Sequence, residues 1–268
     1  MTATSDLDSY LEVAVEAVRA AEAEIRGARD QPRQARYKGF RDVVTDTDLR
    51  AERAIVETIR VHFPDHGFRT EESPDERADF LWLVDPLDGT TNFAHGYPLF
   101  SISLALRHGD ETLVGVVCDP IQDTLFTAQV GEGAWLTQAK SGTSNRRRLQ
   151  VSEHDRLEDA LVGLDWARVP KMRQRSVACV AALSSRVATM RALGSAVLAL
   201  CGVAAGWLEG YFNLALYDWD VAAAELLIRE AGGLVTDLGG NPWHPGTRGC
   251  LASNGHLHEE LLTILGEV

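Results

Sequence analysis

Trp82-Leu83-Val84-Asp85-Pro86-Leu87-Asp88-Gly89-Thr90-Thr91-Asn92-Phe93 passes from an apolar run to two carboxylates and then to the start of a helix. Phe80 to Val84 has the length of a strand and Pro86 ends regular pairing, so Asp85 is expected at a strand tip. Two carboxylates three residues apart converge on one point only across a rigid turn. Pro86 supplies the rigidity by fixing φ and removing an N–H. The Leu87 carbonyl is then left as a further oxygen ligand, and Gly89 admits a close approach of backbone to a ligand. Thr90 opens a short helix through Asn92 and Phe93, whose first N–H groups make a seat for phosphate. Read alone, the same residues also suit a plain turn.

The neighbouring segments carry more acids, each with a bland alternative. Glu71-Glu72 follows a short strand at Gly67–Thr70, where adjacent side chains cannot point the same way; one can take a metal and the other a neighbour, or both can be solvated. Asp218-Trp219-Asp220 starts a helix running from Trp219 to Ala231 and stopped by Gly232-Gly233, so one aspartate is expected as N-cap and the other is available to a metal. Asp42, Asp46 and Asp48 precede a helix from about Asp48, with Thr47 or Asp48 as its cap. Further out, Leu7, Leu11, Ala14, Val15, Val18 and Ala21 recur at helical spacing up to Gly27. SISLAL, TLVGVVC and TLFTAQV between Phe100 and Thr137 read as an antiparallel meander with turns at His108-Gly109-Asp110 and Asp119-Pro120. Residues 138–148, with Arg146 to Arg148 together, read as a solvated hairpin loop or a basic patch for a partner. VGLDW is a strand placing Asp165, and helices are expected at 172–185 and 195–206. The pattern predicts an α+β sandwich of two subdomains sharing one cleft, 1–145 with most of the acids and 146–268 completing the site.

The 268 residues carry 39 acidic and 26 basic side chains, a formal charge of −13, with 45% hydrophobic residues. That charge opposes counterion release, so nucleic acid and anionic membranes are excluded as expected partners. Dense carboxylates instead suit hard cations, which in turn can draw in a small phosphorylated anion. Cys118, Cys179, Cys201 and Cys250 have no metal-ligand spacing and read as buried thiols. With no apolar stretch long enough to span a bilayer and no leader pattern, a cytoplasmic protein is expected.

DVVTDTD (42–48), EES (71–73), WLVDPLDGTTNF (82–93), GVVCDP (115–120), RALGSA (191–196) and WDVAAAELLIREAGG (219–233) occur in an order and spacing that resembles the inositol monophosphatase family of lithium-sensitive, magnesium-dependent phosphatases, over almost the whole chain. The resemblance implies a layered α/β/α/β/α sandwich of the inositol monophosphatase and fructose-1,6-bisphosphatase type, and a homodimer. It implies two to three Mg2+ per site: Glu71, Asp85 and the Leu87 carbonyl on one, Asp85, Asp88 and Asp220 on a second, and a looser third near Glu71. It also implies Thr90 and Asp48, with Glu71, as the catalytic group that orients and deprotonates water. Gly89 and Thr90 would seat the phosphate. Gly194, Ser195 and Ala196 would lie beside the rest of the substrate, although a tight turn and an N-cap explain them equally well. Lys38 matches a basic residue of the family, and an exposed loop lysine is the alternative.

One departure concerns the substrate. Where the inositol phosphatases of the family carry a glutamate seven residues before the last aspartate ligand, this chain has Asn213, which keeps an acceptor and loses a charge. Asp165 can supply the missing anion, and Glu209, in place of an aspartate, reads as structural. The expected substrate is inositol monophosphate or a related polyol phosphate. Histidinol phosphate, fructose 1,6-bisphosphate and 3'-phosphoadenosine 5'-phosphate are alternatives, as is a regulatory protein that keeps the fold and acts through a partner.

Overall fold

The computed structural model describes residues 4–28, 35–39, 42–140 and 143–268. Helix α1 (Thr4–Ala28) leads to a small antiparallel pair, β1 (Ala35–Gly39) and β2 (Asp42–Thr45), and to α2 (Asp46–His62). β3 (Gly67–Thr70), β4 (Phe80–Asp88), the short α3 (Thr90–His95), β5 (Ser101–His108), β6 (Glu111–Asp119), β7 (Thr124–Gln129), β8 (Gly133–Lys140) and β9 (Thr143–Arg148) follow. All seven of these strands form one sheet in chain order, parallel between β3 and β4 and antiparallel thereafter. β10 (Leu161–Leu164), α4 (Pro170–Leu183), β11 (Thr189–Ala192), α5 (Ala196–Ala204), β12 (Gly210–Asn213), α6 (Asp218–Glu230), β13 (Leu234–Thr236), β14 (Cys250–Ser253) and α7 (His258–Gly266) complete the chain. Their five strands make a second, mixed sheet in the order β11-β10-β12-β14-β13.

Three apolar cores separate the layers. Strand periodicity sends Trp82, Val84, Ile102, Leu104, Val114 and Val116 to one face of the first sheet, where they meet Ala14, Val18, Ala51 and Ile55 of α1 and α2. The intervening Leu83, Ala105 and Val117 pack on the other face against α5 and α6, which also cover Tyr211 and Ala252 of the second sheet. Phe212, Leu251 and Val162 face α4 and α7. The result is the expected α+β sandwich of alternating helical and sheet layers. Gly115 of β6 makes the middle contact possible: a Cβ there would stand 2.7 Å from the Ala223 carbonyl of α6.

Several local expectations change. β4 does not stop before Pro86. Asp85 pairs with Ser103 and Asp88 with Ser101, so one extra residue is accommodated as a bulge that holds the proline where no ladder N–H is needed. Helix α2 is capped by Thr45, whose Oγ1 accepts from the Thr47 N–H at 3.2 Å, rather than by Thr47 or Asp48. Residues 138–148 belong mostly to the β8–β9 hairpin, with Arg146 over the Trp135 ring and Arg147 over that of Trp207. The Lys38 side chain lies outside the described residues. All four cysteines are free and buried. No helix among the described residues is long and apolar enough to cross a membrane.

Candidate functional site

The bulge in β4 lets Asp85 and Asp88 approach the middle layer, where the start of α5 bonds Asp88, while the Leu87 side chain packs on the outer face against α1 and α2. Parallel pairing of Thr70 with Val84 carries Glu71 alongside, its N–H donating to the Val84 carbonyl at 3.3 Å. Glu72 is drawn the other way, its N–H donating to buried Glu52 at 3.0 Å. Asp48 sits in the first turn of α2 as a capping-box acid: Oδ2 accepts from the Thr45 N–H (2.9 Å) and hydroxyl (2.5 Å). Its Oδ1 accepts from the Thr90 hydroxyl at 3.1 Å, which thus links α2 to the start of α3.

Neither aspartate at the start of α6 is the N-cap, which is Tyr217. Asp218 accepts from Arg69 at 2.6 Å and from the Gly246 N–H at 2.7 Å, so it is a structural residue. Asp220 accepts from the Tyr217 N–H at 2.8 Å and faces the other acids. The Leu87 carbonyl is not idle: it accepts from Thr90 Oγ1 at 3.0 Å. Gly89 is left-handed (φ 86°) and gives α3 no side-chain cap, which leaves the first N–H groups of that helix without a side-chain acceptor.

The acids interact strongly. Asp85 is raised well above the usual carboxylate range, first by burial and then by the charges of Glu71, Asp88 and Asp220. Asp220 is pushed up to about 8 by burial, Glu71 and Asp88, with Arg168 and the Tyr217 N–H opposing. Asp48 rises to about 6 on burial, against its bonds from Thr45 and Thr90. Asp88 rises to about 6 on burial although the N-terminus of α5 is spent on it. The Ser195 hydroxyl, the Ser101 hydroxyl (3.1 Å) and the Ala196 and Val197 N–H groups (3.2 and 3.1 Å) all donate to its carboxylate.

The sequence-predicted substrate residues form one connected run. Gly194 (φ 74°) donates its N–H to Asp165 Oδ1 at 2.7 Å, Tyr211 donates its hydroxyl to Asp165 Oδ2 at 3.3 Å, and Asn213 Nδ2 donates to the Tyr211 oxygen at 3.4 Å. Asn213 Oδ1 is taken by the Ala215 N–H at 2.9 Å. Asp165 is pushed up to about 7, mainly by burial. A Cβ on Gly89 would stand 3.0 Å from the Gly194 carbonyl, and Asn92 bonds the Leu99 and Leu193 carbonyls at 2.7 and 2.9 Å, so this run abuts the β4–α3 turn. Glu209 accepts from the Leu161 N–H at 2.6 Å and lies 3.1 Å from His154.

Arg168, 3.6 Å from Glu71, was not legible as a site residue, because nothing in the sequence around it marks a return toward β3. Ser101 was reachable in principle, since antiparallel pairing sets it opposite Asp88. The donor set, four carboxylates and a carbonyl, is all hard oxygen and mutually repelling, which fits a hard divalent cation. Asp85, Asp88 and Asp220 also take hydrogen bonds from the chain, and among the described residues no three His, Cys, Asp or Glu side chains stand at the spacing of a closed metal cage.

These layers and this buried oxygen-rich site define a class, an α+β sandwich whose clustered acids suit a hard divalent cation. The sequence matches the model of the inositol monophosphatase family over residues 6–268, and the chain belongs to that family of phosphomonoester hydrolases. It is 40% identical to an inositol-1-monophosphatase of Synechocystis, over 96% of this chain and 88% of that protein. It is 42% identical to the Nus factor SuhB of Haemophilus influenzae, over 76% of this chain and 75% of that one. The crystal structure of the extragenic suppressor protein suhB from Bartonella henselae superposes with a TM-score of 0.87 at 35% identity, covering 96% of this chain and 98% of that one.

Proposed function

We propose that the chain is a Mg2+-dependent hydrolase of small phosphate monoesters, with inositol monophosphate the first candidate substrate. The observation that carries this reading is the buried Asp85 carboxylate, held against the charges of Glu71, Asp88 and Asp220. Glu71, Asp85 and the Leu87 carbonyl would hold one ion, and Asp85, Asp88 and Asp220 another, with Asp85 shared. Bound there, the ions would cancel phosphate charge and make water acidic enough to attack at neutral pH. The chain's own part is positioning and proton transfer. Thr90 gives its proton to Asp48 Oδ1 or the Leu87 carbonyl, so Thr90 Oγ1 is left to accept from an attacking water. Asp48 and Glu71 are the acceptors for the proton that water loses. Gly89 and the first N–H groups of α3 seat the phosphate.

For the remainder of the substrate, Asp165, Gly194, Ser195, Ala196 and Asn213 would form the wall. Asn213 is buried and its carbonyl oxygen is already used, which weakens the case for a charged amine docking there and leaves a polyol favoured over histidinol phosphate. A second reading, a binding protein, draws on the likeness to the Nus factor SuhB, and the exposed Arg146 and Arg147 stacked on Trp135 and Trp207 would be its surface. Phosphate release with Mg2+ from inositol 1-phosphate, histidinol phosphate, fructose 1,6-bisphosphate and 3'-phosphoadenosine 5'-phosphate separates these readings. Inositol 1-phosphate should turn over fastest, and Asp220→Asn should lower that turnover by about a hundredfold or more. Full turnover in the variant would remove Asp220 from the metal set, and no turnover of any of the four would favour the binding protein.

A further inference from the structure

From Trp166 to Leu208 the chain has no acidic residue, in a protein whose formal charge is −13. Arg168 is the first cation of that stretch, just past Asp165 of the substrate wall. Its place is set from both sides. Asp165 accepts from the Gly194 N–H at 2.7 Å, Ala167 is buried, and Pro170 opens α4. From this short connection the Arg168 side chain runs to the acidic site, where Nη1 stands 3.6 Å from Glu71 Oε1. The arginine side chain is 47% exposed and that of the glutamate 11%, so the guanidinium meets the acids from the solvent side. Its charge extends to Asp220, where it opposes the rise caused by burial and by Glu71.

The surroundings of Glu71 and Asp88 differ in kind. Asp88 takes hydroxyl and N–H donors from Ser101, Ser195, Ala196 and Val197, all neutral, so an ionised Asp88 offers its full negative charge to a cation. Glu71 faces a guanidinium, which carries a permanent charge and has no acceptor. A divalent cation that takes Glu71 must loosen that contact and stand near a like charge. The competitor is part of the chain, so dilution does not remove it. A half-exposed ion pair of this length is weak, so Arg168 can yield to a cation without excluding it.

On the metal reading of Glu71, Asp85, Asp88 and Asp220 given above, we propose that Arg168 is a positioning residue that competes with a divalent cation for Glu71. It makes the cation at Glu71 the weakest and most exchangeable of the site, while the cation at Asp88 stays firmly held. Arg168 and Asp165 sit on one connection, so the contact on Glu71 joins the metal end of the cleft to the substrate wall.

Mn2+ is a paramagnetic stand-in for Mg2+ at oxygen ligands, and the resonance signal of the free ion reports how much the full chain has bound. A titration with Mn2+ alone gives the affinity of the weakest bound ion without any turnover. Arg168→Gln, at a half-exposed position where glutamine leaves the packing intact, should tighten that ion about fivefold. Arg168→Lys keeps the charge on a side chain of similar reach and should stay within about twofold of the wild type. Arg173→Gln removes the same charge from a guanidinium 5.2 Å from the Trp166 ring, and should leave the affinity where it is. Equal affinity in Arg168→Gln and the wild type overturns the role of Arg168 and leaves the metal reading standing. A lysine variant that tightens like glutamine overturns it too, since the charge is then not the cause, as does equal tightening in Arg173→Gln, which would mark a change of net charge alone. A wild type that binds no Mn2+ overturns the metal reading itself, and the role of Arg168 with it.

Discussion

Asp165 shows what one residue adds to the chemistry. It lies just past β10, bonded by the Gly194 N–H and the Tyr211 hydroxyl, and its carboxyl is pushed up to about 7 by burial, with the Asp88 charge adding to the effect. An acid whose folded value lies above its unfolded one binds its proton more tightly when folded. The chain therefore loses stability as pH rises from the ordinary carboxylate range to about 7, and the loss is complete above that. Asparagine keeps an acceptor for Gly194 and never ionises. Asp165→Asn should gain on the wild type across this window by roughly 1–3 kcal/mol, less than full linkage because the carboxyl is partly open to solvent. Urea melts in chelator at the two ends of the window measure it; a variant that falls behind as pH rises would mean that the charged form is the one the fold prefers. The sequence suggested Asp165 only as a replacement for the charge missing at Asn213. Its bond to Gly194 spans 29 residues and depends on how β10 meets the loop before α5, which no local pattern encodes.

At the scale of elements, legibility followed periodicity. β3, β5, β6, β7, α1 and α6 were readable because alternation or helical spacing persists over a face that is buried. The continuation of β4 through Pro86 was not, since the usual exclusion of proline from strands holds only where the ladder needs its N–H, and the bulge removes that need. The cap of α2 was misplaced by two or three residues because Thr45, Thr47 and Asp48 are all good capping types; the side chain of Asp48 decides the matter by closing on Thr45. Helix α5 was predicted as a helix, but not as the element that holds Asp88. Its N-cap Ser195 has two duties, accepting from the Leu198 N–H at 3.3 Å and donating to Asp88. Ser195→Ala should cost about 1–2 kcal/mol through the lost cap and leave a buried carboxylate short of a donor. Threonine keeps the hydroxyl, so Ser195→Thr should recover most of the stability and most of the phosphatase activity. Equal thermal midpoints for serine, threonine and alanine at this position would show that the helix end is held by its backbone alone.

Across the whole molecule, the acidic site lies where layers meet. Asp85, Asp88 and its donor Ser101 come from the first sheet, Asp220 and the remaining donors to Asp88 from the helices between the sheets, and Asp48 from the outer helices. Folding must bring these carboxylates together while burying the cores on both sides of the first sheet, so apolar burial offsets their repulsion. The sign of that repulsion is testable. In chelator, Asp85→Asn removes a buried negative charge from among Glu71, Asp88 and Asp220 and should melt at or above the wild-type temperature. With Mg2+ added the order should reverse. An ion that binds only the folded wild type adds RT ln(1 + [L]/Kd), about 2.7 kcal/mol at a hundredfold excess over Kd, and the variant, lacking the shared ligand, should gain little. Calorimetric melts of both proteins with and without Mg2+ give the four values required. A Mg2+ gain as large in Asp85→Asn as in the wild type would place the ion elsewhere, while a variant less stable than the wild type in chelator would show that the Asp85 carboxylate contributes more through its bond from the Leu87 N–H at 3.0 Å than it costs in repulsion.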